Sequence, residues 1–214
     1  MMEKNISRAV ISRLPRYYRC LEKLMYDHVD RVSSTELAEM MKVTASQIRQ
    51  DLNTFGGFGQ QGYGYNVQNL FAELTKILGL DREHNMVVIG AGNLARAFTN
   101  YIGFKRIGFY IKGLFDNNPE VIGQTFHDLT VKPMEELADF IKEENIEIGI
   151  LAVPWEYLNE AASDMISAGI KNIWNFAPGG LDIEVPDDVI IQNENLSDSL
   201  IQLSFIVTAA GQGR

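Results

Sequence analysis

The residues best suited to bind a ligand in this chain are Gly90-Ala91-Gly92-Asn93-Leu94-Ala95, directly after the apolar run Met86–Ile89. Their spacing fits the pattern G-x-G-x-x-G/A. The first glycine permits a tight turn, and the second lets a pyrophosphate approach the backbone. A small third residue, here Ala95, allows a helix to pack on the strand. The N–H groups of a helix opening at this point face an anion. The setting matches the motif: a strand-like run precedes it, a helix-like stretch follows, and the next apolar run, FYIKGLFD, ends in Asp116, 26 residues past Gly90. An acid there suits an adenosine ribose diol and repels a 2′-phosphate, which favours NAD(H) over NADP(H). The alternative for Asp116 is a turn residue ahead of Asn117-Asn118-Pro119.

A second constellation lies upstream. Ser33 with Glu36, and Thr44 with Gln47, have capping-box spacing, so two short helices are expected to start near residues 34 and 45. Lys42–Val43 is left as the tight turn of a helix-turn-helix. On the second helix Ala45, Ile48, Leu52 and Phe55 share one face, and Ser46, Gln47, Arg49, Gln50 and Asn53 share the other. Short amide side chains and an arginine match base edges: Arg pairs with guanine and Gln with adenine. An ordinary surface helix is the plainer reading. The stretch GGFGQQGYGY (56–65) supplies glycines for a hairpin and Phe58, Tyr63 and Tyr65 to anchor it. It reads as the wing of a winged helix, with Gln60–Gln61 at its tip able to enter an A·T minor groove. A flexible linker is the competing view.

These sites need elements to hold them. Pro15 suits a helix first turn, after which Tyr17, Tyr18, Leu21, Leu24 and Met25 recur at helical spacing. Asn66 can cap a helix carrying Val67, Leu70, Phe71, Leu74, Ile77 and Leu78, and Gly79 suits its end. A boundary is expected near Asp81–Asn85. Beyond it the pattern alternates: helix at Met134–Glu144, buried strand IGILAVP (148–154), helix at Glu156–Ala168, strand NIWNFAP (172–178). In an open parallel sheet, ligands bind beyond the carboxyl ends of the strands, so the loops at Pro154 and Pro178 fall on the nicotinamide side. The terminal helix places Leu196, Leu200, Leu203 and Val207 in one stripe, widened by Ile201, Phe205 and Ile206. Such a helix needs cover on several sides, from a second subunit or from its own domain.

Composition narrows the function. The 214 residues carry a net charge of −9. Residues 1–64 hold nine Lys/Arg against seven Asp/Glu, and five cations (Lys4, Arg8, Arg13, Arg16, Arg19) fall within the first nineteen residues against Glu3 alone. A basic end on an acidic body fits a protein that meets phosphate at one end, or a solvated tail. One cysteine, Cys20, and three scattered histidines, His28, His84 and His127, exclude an internal disulfide and argue against a metal site. With no leader, no secretory signal and no apolar run near ~20 residues, a cytoplasmic protein without membrane attachment is expected. Hydride chemistry needs a proton-transfer group beside the nicotinamide. No well-placed histidine offers one, so the reading is a sensor rather than an enzyme. The rivals are a small NAD-dependent oxidoreductase and a DNA-binding regulator that senses CoA or another nucleotide.

The segments ISRLPRYYRCLEKL, VSSTELAEMMKVTASQIRQDLNTFGGFGQQGYGYNV, VVIGAGNLARA and IKNIWNFAP resemble, in order and over nearly the whole chain, the redox-sensing transcriptional repressor Rex family. The resemblance implies an α/β chain with an all-α, winged-helix DNA-binding domain (1–80). A Rossmann-type parallel sheet binding NADH and NAD+ (81–192) and a swapped C-terminal dimerisation helix (193–214) would follow. It implies a homodimer that represses fermentative and anaerobic respiratory genes. The dimer binds palindromic, A·T-rich double-stranded operator DNA when NADH is low, and NADH releases it. Half-sites would lie one or more helical turns apart, each turn ~34 Å. By the family pattern Arg13 contacts the DNA backbone; Ser46, Gln47, Arg49 and Gln50 face the major groove; Gln60 and Gln61 sit in the wing. Gly90, Ala91, Gly92, Asn93, Leu94, Ala95 and Asp116 hold the dinucleotide. Val153, Pro154, Asn175, Phe176 and Pro178 match positions around the nicotinamide, and Arg19, Tyr101 and Asn195 match a switch relay in which Tyr101 also meets the cofactor. The chain departs from many members at Gln50 and Gln61, where they carry a basic residue, at Ala95, often Gly, and at Asn195, often Asp.

Overall fold

The computed structural model describes residues 6–60, 63–179 and 181–211. The chain divides into two compact units, Met1–Arg82 and Glu83–Arg214. The first contains α1 (Arg8–Tyr26), β1 (Arg31–Val32), α2 (Ser34–Met41), α3 (Ala45–Asn53), β2 (Gly59–Gln60), β3 (Gly64–Asn66) and α4 (Val67–Ile77). Pro15 does not open α1 but lies inside it. The cap is Ser7, whose side chain accepts from the Val10 N–H. An interior proline costs ~3 kcal/mol. Burial of Leu14, Tyr17, Leu21 and Leu24 along one stripe, each worth about 1.5–3 kcal/mol, outweighs it and carries the helix through.

Ser33 and Glu36 form a reciprocal capping box at α2. At α3 only half of the expected box exists. Thr44 accepts from the Gln47 N–H at 3.2 Å, but the Gln47 side chain turns away to donate to the Asp51 carboxylate at 2.8 Å, an ionised and therefore stronger acceptor. Between the helices Lys42 takes the left-handed conformation, φ 55°. The glycine-rich stretch is a hairpin, β2 antiparallel to β3, with β1 on the other side of β3. Gly64 is obligatory there: φ is +69°, and a Cβ would lie 2.7 Å from the Val32 carbonyl oxygen. The expected wing tip lies outside the described residues at Gln61, and so does the side chain of Gln60.

The second unit contains β4 (His84–Ile89), α5 (Asn93–Asn100), α6 (Ile102–Arg106), β5 (Phe109–Asp116), β6 (Thr125–Phe126), β7 (Leu129–Pro133), α7 (Leu137–Glu143), β8 (Ile148–Leu151), α8 (Leu158–Ser167), β9 (Asn172–Asn175), β10 (Ile190–Asn193) and α9 (Asp198–Gly211). Strand order is β10-β9-β8-β4-β5-β7-β6, parallel throughout except the β6–β7 hairpin. Without β6 this is the doubly wound order of a dinucleotide-binding sheet. Period-2 alternation buries both faces. Val87, Ile89, Phe115 and Leu151 pack with α7 and α8, whereas Met86, Val88, Leu114 and Ile150 pack with Ala95 of α5. The edge hairpin and β10 are not legible as strands in the sequence, because both are short and mix apolar with polar residues. The irregular stretch around His127 is the hairpin's turn, with His127 at φ 55°. Burial of the terminal helix in its own domain does not occur: Leu200, Ile201, Phe205 and Val207 are each more than 60% exposed.

Candidate functional site

β4 and β8 are neighbours, but their chains leave the sheet toward opposite faces, to α5 and to α8. That divergence opens a crevice beyond the strand ends, where doubly wound sheets bind ligands. A cleft of about 520 Å³ lies there. Gly90 makes its floor possible. Its φ is +97°, and a Cβ would sit 2.6 Å from the Ala152 carbonyl oxygen and 2.9 Å from the Val153 side chain. Gly92 is the N-cap of α5, with no side chain capping the helix and open space where a Cβ would be. The turn from Gly90 to Gly92 thus presents bare main chain to the cleft at the N-terminus of α5, the arrangement that receives phosphate. Ala95, fully buried, lets α5 lie close on the sheet.

Asp116 ends β5 at the rim. One carboxylate oxygen accepts from the Ala91 N–H at 2.7 Å, and the other from the Asn118 N–H at 2.8 Å. Each oxygen retains a lone pair, so the group that shapes the loop can also accept ribose hydroxyls.

The structure brings Gly90, Ala91, Gly92, Asp116, Val153 and Pro154 together around this cleft, and adds Asn118, Met134, Tyr157 and Glu160, which sequence reasoning missed. Met134 follows β7, a strand not foreseen; Tyr157 and Glu160 come from the start of α8, whose facing direction depends on sheet order. Asn93 and Leu94 open α5 without lining the cleft. Asn175, Phe176 and Pro178 also lie outside its lining. Asn175 is buried, its amide donating to Asn193 and its carbonyl accepting from the Ala177 N–H, so it holds its own loop. Phe176 packs on Trp174 and Phe98 at 4.5 and 4.9 Å between ring centres. Tyr101, 59% exposed, lies edge-on to Phe104 and directly over Gly103, where a Cβ would meet its ring at 2.5 Å. Asn195 accepts from Ser197 N–H and Oγ ahead of α9. Tyr101 and Asn195 each fill a local role.

Of the histidines in this unit, His84 is buried at the opposite end of β4, paired with Glu147 at 3.0 Å and stacked on Phe109. His127 pairs with Asp128. Among the described residues no cluster of His, Cys, Asp or Glu could hold a metal, and no helix is long and apolar enough to cross a membrane.

On the first unit, α3 exposes Ser46, Arg49 and Gln50 and buries Ile48 and Leu52. Arg49 donates from Nη1 to the Ser34 hydroxyl at 3.0 Å, bracing it against α2. Gln47 is half-buried rather than fully outward, because its amide reaches Asp51. Arg13 makes a two-pronged pair with Asp51 at 2.7 and 2.8 Å. Arg16 bonds the Met41 carbonyl, and with Arg19 and Lys23 it lines a basic groove on α1. Asp51, which sequence reasoning did not single out, is fully buried among these donors. Helical spacing carries a signal for it: positions 48, 51, 52 and 55 form one inward stripe.

Two family models match parts of the chain, a DNA-binding protein N-terminus over residues 5–53 and a CoA binding domain over residues 81–179. A redox-sensing transcriptional repressor Rex from Caldanaerobacter subterraneus subsp. tengcongensis is 54% identical over 200 residues, spanning 94% of this chain and 88% of that protein. Its counterpart in Clostridioides difficile is 53% identical over 204 residues, 95% of this chain and 96% of that one. The crystal structure of RSP with β-NAD+ and operator DNA superposes with a TM-score of 0.91 at 52% identity, covering 98% of this chain and 96% of that chain. RSP with β-NADH gives 0.88 at 50%, with 98% of each chain covered. A dinucleotide-type cleft, a helix-turn-helix and identity of this level along almost the full length agree, and the chain belongs to the Rex family of redox-sensing transcriptional repressors.

Proposed function

We propose that this protein is a transcriptional repressor that senses the NADH/NAD+ ratio: it binds a palindromic operator while NADH is low, and NADH releases it. The observation that carries this reading is the cleft at the β4–β8 divergence, built to hold a dinucleotide, in the same chain as a braced recognition helix. Relatives solved with operator DNA and β-NAD+, and with β-NADH, support it. In this reading the protein regulates rather than catalyses, works in the cytoplasm and acts without a metal.

In this reading the Gly90–Ala95 turn holds the pyrophosphate through the N–H groups at the start of α5, Asp116 takes the adenosine ribose, and Val153 and Pro154 border the nicotinamide. The loop of Asn175, Phe176 and Pro178 closes that side. Ser46, Gln47, Arg49 and Gln50 read the major groove, Gln60 and Gln61 the minor groove, and Arg13 a phosphate. The apolar, exposed α9 is covered by a second copy of the chain, so the unit of function is a homodimer. Arg19, Tyr101 and Asn195 relay the redox form of the nicotinamide.

Only a difference in NADH affinity between two dimer arrangements can shift the balance between them. Moving it from 1:99 to 99:1 takes about 5.5 kcal/mol. Linkage then requires operator DNA to weaken NADH binding by the factor with which NADH weakens operator binding. The CoA binding description of the second unit favours a second reading, since CoA shares the adenosine diphosphate of NADH. Titrating the protein–operator complex with NADH, NAD+, NADPH and CoA separates the two. Release by NADH alone is expected; release by CoA, or equal operator binding with and without saturating NADH, refutes the proposal.

A further inference from the structure

We propose that Asp51 is a positioning residue for base reading, a buried carboxylate that fixes Gln47 and Arg13 in the orientation that meets DNA. This rests on the repressor reading above. The carboxylate is fully buried and is met by donors from two helices. Arg13 donates from Nε and Nη2 at 2.7 and 2.8 Å, Gln47 from Nε2 at 2.8 Å, and the Tyr17 hydroxyl at 3.0 Å. Arg13 and Tyr17 lie one turn apart on α1; Gln47 and Asp51 lie one turn apart on α3. One group therefore ties the recognition helix to α1 and sets the direction of two side chains at once.

The donor inventory shows what stays available. A guanidinium has five N–H groups; Asp51 engages two, and three remain for a phosphate. The Gln47 amide gives up one N–H and keeps the other together with its carbonyl oxygen, the pair that adenine N7 and N6 require. An untethered glutamine would sample both amide orientations and present donor and acceptor in either order. Burial by itself would push the Asp51 carboxyl up, but hydrogen bonds from Arg13, Gln47 and Tyr17 outweigh it and hold the group below the usual carboxylate range. The cluster therefore stays ionised wherever DNA binding is measured. A buried charge network of this kind is satisfied as a whole or not at all.

A purely structural staple would affect stability and leave base preference alone, so base preference is the readout. The full-length protein is used to select from a pool of duplexes with randomised half-sites, and the bound fraction is sequenced. NADH binding reports that the second unit is intact, and thermal unfolding reports the first. Asp51→Asn is expected to flatten the preference at the base pair read by Gln47 by about tenfold, and to lower affinity for a fixed non-specific duplex by no more than Arg13→Ala does, since Arg13 meets a phosphate. Adding Asp51→Asn to Gln47→Ala should cost nothing more at that position. Unaltered preference in folded Asp51→Asn, or additive losses in the double variant, overturns the proposal. If Asp51→Asn does not fold, Asp51→Glu takes its place, since it keeps the buried charge but moves the carboxylate off the Gln47 amide; undiminished preference there is equally fatal. A wild-type protein that enriches no motif sinks the repressor reading itself, whereas a clear wild-type motif with unaffected variants sinks this inference alone.

Discussion

Around the cleft of the second unit, Gly90, Ala91 and Gly92 present main chain to the space beyond β4, whereas α3 of the first unit presents the side chains of Ser46, Gln47, Arg49 and Gln50. The materials fit what each region recognises. A pyrophosphate is the same in every dinucleotide, so fixed backbone N–H groups suffice for it. Base pairs differ in their edges, and only side chains can be varied to match them. The two regions should therefore fail differently. Removing a glycine distorts the backbone surface as a whole, while truncating a side chain on α3 removes one contact at a time. What stabilises the regions also differs: the cleft is shaped by strand ends, the reading face by a buried ionic cluster around Asp51.

The sharpest way to break this comparison is Gly90→Ala. With φ at +97° and a Cβ 2.6 Å from the Ala152 oxygen, strain and displacement together should distort the turn and cost about 4 kcal/mol of NADH affinity. Cofactor-free DNA binding should be unchanged. NADH fluorescence and duplex binding measured side by side test it, and loss of both would show that the regions are not separable. Asp116→Ala should cost roughly 3 kcal/mol, because a charged acceptor of two ribose hydroxyls is lost, again with DNA binding retained.

On the other region, Arg49→Ala should cost about 1–3 kcal/mol and relax preference at a single base pair. A uniform loss on all duplexes, with a shallower salt dependence, would move Arg49 to a phosphate. The smallest effect is in acid. Asp51 has its carboxyl lowered in the fold, so its contribution to stability is complete above the unfolded value near ~3.9 and disappears as pH falls through the lower folded value. Denaturation midpoints between pH 2 and 6 should fall more for wild type than for Asp51→Asn. Parallel curves would show that the cluster contributes nothing through its charge.

Local features were legible before any coordinates. The fingerprint at Gly90–Ala95 spans six residues, the capping residues Ser33 and Thr44 sit beside the helices they start, and the apolar run of β4 is continuous. What escaped was carried by distance. Asp51 occupies an inward position of α3, but a carboxylate reads as outward until Arg13, thirty-eight residues away, is beside it. Pro15 reads as a helix start because its own chemistry favours one; the buried stripe that carries α1 past it is a property of the packed unit. Tyr157 and Glu160 reach the cleft only because β8 lies next to β4.

The sequence alone therefore determined the repertoire: a winged helix-turn-helix, a dinucleotide-type turn, an acid after the second strand, and a terminal helix apolar on several sides. These follow from i-to-i+4 geometry, backbone freedom at glycine and hydrophobic period, all set by neighbours along the chain. Tertiary structure decided which residues share a site. Gly90 meets the Ala152 carbonyl, and Asp51 gathers Arg13, Tyr17 and Gln47, because close packing across the fold, and not order along the chain, fixes which donors reach which acceptors.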